Sequence, residues 1–193
     1  LAVQSMFMKQ RASLGVGSVQ QMSLNFVLTG NPGTGKTSVA RKMGEVLRSL
    51  DILPTSNVIE VSRSNLVGKY MGETPKNVNN ACDRAMGGIL FIDEAYTLCA
   101  ENDNYGQEAI DTLIKRMEDD RGKFVVIVAG YLDRMEEFLN SNPGLNSRFT
   151  NRLHIDDYSE IELLDIFKQM ADKQQYQLSE EAEVKLMEVV STM

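Results

Sequence analysis

The chain has no tryptophan, one histidine, two cysteines and four prolines among its 193 residues. A single histidine, His154, excludes a histidine-built metal cluster and any relay that needs two imidazoles, and its place at the end of a short strand pattern reads as structural. Cys82 and Cys99 lie in apolar segments and cannot make a disulfide framework; reduced thiols are expected, and with them a reducing compartment, either cytoplasm or an organelle stroma or matrix. No run approaches the ~20 apolar residues of a membrane span, and the first residues lack the pattern of a cleavable signal, so no membrane is expected as a partner. Positive charge is also in short supply: 20 Lys and Arg against 27 Asp and Glu give a formal net charge of −7, which disfavours a broad nucleic-acid surface. What remains, 42% hydrophobic and 24% charged residues, is ordinary for a globular chain long enough for one domain with a small appendage.

Glycine is placed rather than scattered. Leu24 to Thr29 is an apolar strand pattern, and the segment after it, Gly30-Asn31-Pro32-Gly33-Thr34-Gly35-Lys36-Thr37-Ser38, fits G-x-x-x-x-G-K-[ST] without a gap before a helical run from Ser38 to Leu50. Glycines there let backbone N–H groups turn inward around an anion, and the N-terminus of the following helix favours the same negative charge. The Lys36 ammonium suits the β- and γ-phosphates of a nucleotide, and the Thr37 hydroxyl suits a Mg²⁺ ion. These residues predict a bound ATP or related nucleotide with Mg²⁺.

A phosphate-binding loop needs acidic groups to hold the cation and prepare a water. Ile89 to Ile92 is an unbroken apolar run, as in a strand buried on both faces, and Asp93-Glu94 follows it. Asp93 is placed to hold Mg²⁺ directly or through water, and Glu94 to act as general base on the attacking water. The same pair also suits the acidic first turn of a helix.

Alternation of pattern sets the architecture. Helix Met6–Leu14, strand Leu24–Thr29, helix Ser38–Leu50, strand Asn57–Val61, helix Lys76–Met86, strand Ile89–Ile92, helix Tyr105–Asp119, strand Phe124–Ala129, helix Asp133–Leu139 and strand Arg152–Ile155 follow one another. This βα rhythm predicts an open parallel sheet flanked by helices on both faces. After Ser159 the strand patterns stop and two helices follow, with Ser159 and Ser179 as N-terminal caps. The expected division is residues 1–157 for the α/β nucleotide-binding part and 158–193 for a helical part.

Several segments taken together resemble the AAA+ ATPases: Gly30–Thr37, Gly68-Lys69-Tyr70-Met71-Gly72, Ala85–Ala95, Tyr105–Ile110 and Val128-Ala129-Gly130-Tyr131. Within that class the chain is most similar to the CbbX/CfxQ/SpoVK-like subgroup, which includes the red-type Rubisco activase, and the likeness covers nearly the whole chain. The resemblance implies an α/β P-loop fold with a helical lid, and a usually hexameric motor that hydrolyses ATP to remodel or thread a protein client through a central pore. It implies that Tyr70, with Met71, grips the client on a loop facing the pore, although an aromatic between glycines also suits an ordinary packed turn. Arg148 matches the position from which this class sends an arginine into a neighbouring subunit's site, where such a group is worth about 10³–10⁵ in rate; a surface salt bridge is the alternative, and Arg152 is a weaker second candidate. At the end of the fourth strand many members carry Asn, Ser or Thr, whereas this chain has Gly130-Tyr131, as the subgroup does, and the Tyr131 hydroxyl either positions the water or the ring simply packs. The family's N-terminal adenine-facing segment and the sensor arginine of the lid are not evident, which leads to the expectation of a piece trimmed at both ends, with a truncated lid, weak nucleotide binding and poor assembly.

Other classes fit less well. A P-loop GTPase needs a guanine-reading N-K-x-D element, which is missing after the fourth strand pattern. A small-molecule kinase would want an arginine-rich lid and a monomeric site, whereas the second carboxylate Glu94 and the downstream helical appendage fit a motor better. An ATP-binding adaptor without motor activity stays compatible with the sequence.

Overall fold

The computed structural model describes residues 24–100 and 103–190 of the chain. The expected helix Met6–Leu14 falls outside the described residues. The elements, in order, are β1 (Phe26–Thr29), α1 (Lys36–Ser49), β2 (Val58–Val61), α2 (Arg63–Leu66), α3 (Glu73–Ala85), β3 (Ile89–Ile92), a 3₁₀ turn (Ala95–Cys99), α4 (Asn104–Asp119), β4 (Val125–Gly130), α5 (Leu132–Asn140), α6 (Pro143–Arg148), β5 (Asn151–His154), α7 (Glu160–Lys173) and α8 (Glu180–Val190).

All five strands run parallel in the order β2-β3-β4-β1-β5. The three inner strands are buried at every position, which is why they read as unbroken apolar runs, whereas the edge strands β2 and β5 are partly exposed and mixed in composition. Side chains alternate between the two faces of the sheet. Phe26, Leu28, Ile89, Phe91, Val125, Ile127 and Ala129 pack under Ala40, Met43 and Leu47 of α1. Val27, Leu90, Ile92, Val126 and Val128 face the other way, onto Cys82 of α3, Ile110 and Leu113 of α4, Phe138 of α5 and Leu145 of α6. Each such large side chain, once fully buried, contributes about 1.5–3 kcal/mol, so the two layers fix strand order and register together. Parallel strands open all their carboxyl ends on one edge, and β4 lies between β1 and β3, so the loops after those two strands flank the end of β4.

The chain divides into two compact units, residues 1–155 and 156–193. In the second, Ser159 caps α7: its Oγ accepts the Glu162 amide at 3.4 Å, while Glu162 Oε2 accepts the Ser159 amide at 2.8 Å. Ser179 Oγ accepts the Ala182 amide at 3.3 Å. Both are the caps the sequence predicts.

Element boundaries differ from the sequence expectation by a few residues, and three short elements were not expected. Helix α1 begins at Lys36 rather than Ser38, because Gly35 in a left-handed conformation (φ 82°) turns the chain directly into it. Helix α3 begins at Glu73 rather than Lys76, after Gly72 (φ 81°). Helices α2 and α6 and the 3₁₀ turn are too short to show a periodic apolar stripe.

Candidate active site

The phosphate-binding loop closes on itself. Thr34 is buried and donates from Oγ1 to the Asn31 carbonyl at 2.8 Å, and the Lys36 ammonium reaches back to the carbonyls of Gly30 (2.9 Å) and Asn31 (2.8 Å). The Gly30 amide donates to the Gly130 carbonyl at 3.3 Å, which ties the start of the loop to the end of β4. Gly33 has φ +79°, a conformation that L side chains rarely adopt, and the place an added Cβ would take is open, with nothing within 4 Å. Gly35 precedes α1 without any side-chain cap on the first-turn amides. Those amides, the helix dipole and Lys36 make a donor set that fits a polyphosphate.

Asp93 and Glu94 leave the same edge of the sheet at the end of β3. The Asp93 amide donates to the Val61 carbonyl of β2 at 2.9 Å, which fixes where the acidic pair emerges. Glu94 has φ +50°, an unusual value for a residue with a side chain and of the kind that clusters at functional sites. Its amide donates to Asp93 Oδ1 at 3.1 Å, and its carbonyl accepts from Thr97 Oγ1 at 2.7 Å. Formally it opens the 3₁₀ turn, yet its side chain makes no cap; Glu94 Oε2 instead accepts a hydrogen bond from the Tyr96 hydroxyl at 2.5 Å. The acidic-first-turn alternative therefore does not describe what the carboxylate does.

Among the described residues no group of three or more His, Cys, Asp and Glu side chains is arranged to hold a metal ion. Asp93 and Thr37 offer hard oxygen donors on this edge, and a divalent cation with so few protein ligands completes its shell from phosphate oxygens and water. The donor chemistry therefore fits Mg²⁺ arriving with a nucleotide.

Tyr70 and Met71 lie on the turn before α3, 72% and 92% exposed, so the ring is not packed into the turn. The turn itself is held: Glu73 Oε2 accepts the amides of Lys69 (2.9 Å) and Tyr70 (3.1 Å). A groove of about 520 Å³, lined by Ser62, Arg63, Gly68, Lys69, Asp93 and Glu94 among others, connects the base of this turn with the acidic pair. Arg63, which lines this groove, sets its guanidinium on the Thr97 carbonyl at 3.2 Å and in an ion pair with Asp103.

Arg148 does not join this cluster. It ends α6 just before β5, whose first residue pairs with Phe26 at the start of β1, so it stands at the amino edge of the sheet, opposite the phosphate-binding loop. There its guanidinium pairs with Glu118 at 2.9 Å and donates to the Gly144 carbonyl at 3.2 Å. Arg152 is on edge strand β5, bonded to Asn146 Oδ1 at 3.2 Å. His154 ends β5 with Nδ1 2.9 Å from Thr29 Oγ1, the strand-end place expected of it. Cys82 is buried, Cys99 is partly buried, and neither forms a disulfide.

Sequence reasoning overlooked Tyr96. The Tyr131 ring, 36% exposed, lies 6.0 Å from it at 46°. The signal was present in Asp93-Glu94-Ala95-Tyr96, but the contact depends on the left-handed turn at Glu94, which residue type does not announce.

A parallel sheet with a phosphate-binding loop after its first strand and an Asp-Glu pair after its third defines a P-loop nucleoside triphosphatase. More narrowly, the chain belongs to the AAA family: the model described as "ATPase family associated with various cellular activities (AAA)" matches residues 26–157, and the "AAA lid domain" model matches residues 159–193. Among curated proteins it is similar to Stage V sporulation protein K of Bacillus subtilis (strain 168), 44% identical over 186 residues, covering 96% of this chain and 58% of that protein. It is also similar to Protein CbbX of Cereibacter sphaeroides, 46% identical over 180 residues, covering 92% of this chain and 58% of that protein. The chain thus spans little more than half the length of these relatives. Among solved structures, the FIGL-1 AAA domain in complex with ADP matches with a TM-score of 0.63 at 19% identity, over 92% of this chain and 58% of that one, a likeness of fold alone. No helix among the described residues is long and apolar enough to cross a membrane.

Proposed function

We propose that this chain is the ATP-hydrolysing part of a ring-forming, hexameric motor that remodels or threads a protein client in a reducing compartment such as the cytoplasm or an organelle stroma or matrix. Residues 1–157 are its large nucleotide-binding subdomain and residues 158–193 the start of its lid. Gly30 to Ser38 hold the phosphates of ATP, with Lys36 on the β- and γ-phosphates. Thr37 and Asp93 hold Mg²⁺, which when bound neutralises the phosphate oxygens and orients the γ-phosphate. Glu94 takes a proton from the attacking water. Arg148 acts on the site of the next subunit, and Tyr70 and Met71 grip the client.

The observation that carries the motor reading is the separation of Arg148 from the phosphate-binding loop by the full length of the sheet, together with an exposed Tyr70-Met71 turn joined by a groove to the acidic pair. In its own chain Arg148 is held by Glu118, the salt-bridge arrangement that the sequence also allows, so the motor reading requires that pair to open when a neighbouring copy docks. ATP turnover measured against protein concentration tests it. Turnover that rises more than linearly, and that Glu94→Gln abolishes while nucleotide binding persists, supports the motor. Turnover strictly proportional to concentration indicates a monomeric P-loop enzyme, and binding without turnover in the unaltered protein indicates an adaptor. Tyr70→Ala is expected to spare nucleotide affinity and impair client remodelling.

A further inference from the structure

The Tyr96 hydroxyl donates to Glu94 Oε2 at 2.5 Å, and Oε1 of that carboxylate accepts no hydrogen bond from the described residues. The ring that carries the hydroxyl is held on two sides. Tyr131, leaving the end of β4, stands with its ring centroid 6.0 Å away, and Gly130 leaves the space that the Tyr96 ring occupies. A Cβ on Gly130 would come within 2.8 Å of Tyr96 Cδ1 and 2.9 Å of Met135 Sδ, both too close to tolerate. Backbone contacts fix the other partner, since the Glu94 amide and carbonyl are bonded to Asp93 and Thr97. Desolvation first, and then the hydrogen bond to Glu94, push the Tyr96 hydroxyl up to about 12, so it keeps its proton at neutral pH and remains a donor.

We propose that Tyr96 is the positioning residue for Glu94, resting on the hydrolytic reading above: it engages Oε2 and thereby presents Oε1 to the attacking water. In that step the water oxygen bonds to the γ-phosphorus and the bond from that phosphorus to the β–γ bridging oxygen breaks. The electron pair leaves on ADP, and the water proton passes to Glu94 Oε1. A general base contributes only when its geometry is right, and a misplacement of about 1 Å can cost up to about 10²-fold in rate. Gly130-Tyr131 thus acquires a use at a strand end where the wider family more often carries a polar side chain. Tyr131 need not touch the water, because it holds the ring that holds the base.

The test is Tyr96→Phe, which keeps the ring and removes only the hydroxyl, with kcat, KM and the affinity for a fluorescent ATP analogue measured on it and on Glu94→Gln. The expected result is a kcat lower by about 10- to 100-fold with KM and analogue affinity within about twofold, the signature of an interaction made in the transition state. In the Glu94→Gln background the same change is expected to have no further effect on residual turnover. A kcat that stays within about twofold or rises, while Glu94→Gln is inactive, overturns the role of Tyr96 and leaves the hydrolytic reading standing. A parallel loss of analogue binding in Tyr96→Phe makes the residue structural and also overturns the proposal. If Glu94→Gln turns over like the unaltered protein, the hydrolytic reading falls and Tyr96 falls with it.

Discussion

At the carboxyl edge of the sheet the backbone turns left-handed at Gly33, Gly35 and Glu94, and Lys36 rests on carbonyls of its own loop; at the amino edge the turns are tied by ion pairs. There Arg116 binds Asp83 and Asp120, Lys123 also binds Asp120, and Arg121 and Arg148 share Glu118. The contrast separates two tasks. Left-handed residues occur at both edges, with Asp51, Gly87 and Gly122 at the amino one, so what sets the carboxyl edge apart is its backbone and lysine donors suited to an anion, whereas the amino edge is tied by a denser set of paired charges. Arg148 belongs to the amino edge, remote from the phosphate-binding loop of its own chain, so the role proposed for it requires a second copy.

The largest effect expected from breaking this division is on turnover. Arg148→Ala is predicted to lower ATP hydrolysis by about 10³-fold in the assembled protein, as removal of a charge-neutralising arginine does elsewhere. The thermal midpoint should fall by a few degrees at most: the Glu118 side of the pair is half exposed, but the Arg148 side chain is only 20% exposed and also donates to the Gly144 carbonyl. A large loss of thermal stability with unchanged turnover would place Arg148 among the merely structural ion pairs.

A smaller effect is expected where β4 meets the acidic pair. Gly130→Ala drives a methyl into the Tyr96 ring and Met135. Overpacking of that kind costs about 1–3 kcal/mol, readable by chemical denaturation, and it should also lower kcat by displacing Tyr96. Unchanged stability would show that the contact at this strand end is loose.

The smallest effect separates the edges by pH. The Lys123 hydrogen bond and the Arg116 pair hold Asp120 below the ordinary carboxylate range; Glu118 is lowered chiefly by Arg121. A carboxylate depressed in the folded state contributes stability above its unfolded value of about 3.9, and that contribution is lost as pH falls through the folded value. The melting temperature should therefore hold level from neutral pH to about 5 and fall below about 4, with a shallower fall in Asp120→Asn. A fall of equal steepness in that variant would remove Asp120 from the account.

The two edges also differ in how far the sequence discloses them. Gly30 to Thr37 and Ile89 to Glu94 are legible because buried parallel strands are written as continuous apolar runs, and because few residue types can line a phosphate cradle. The order of strands follows from the βα rhythm only in outline, and register depends on contacts such as Phe26 opposite Ile127 that no local pattern encodes. Helix α6 carried a readable signal in Asn142-Pro143: the Asn142 side chain accepts the Gly144 amide at 2.8 Å, and proline sits in the first turn. Helix α2 is closed by Ser62 and Asn65, with Asn where the usual box has Glu or Gln, so its signal is weaker. The pairs Arg148–Glu118 and Arg63–Asp103 join residues far apart in sequence, and partners of that kind become visible only when the chain is folded.

The central claim is that one hydrolytic site is shared between two chains, and mixing two disabled variants tests it most directly. Glu94→Gln keeps Arg148 but lacks the base; Arg148→Ala keeps the base but lacks the arginine. If the site is shared, an equimolar mixture should recover roughly a quarter of the unaltered turnover, since random head-to-tail neighbours bring an intact base against an intact Arg148 at about that frequency. A mixture that is no more active than the average of its two components would contradict the account and return the whole reaction to a single chain.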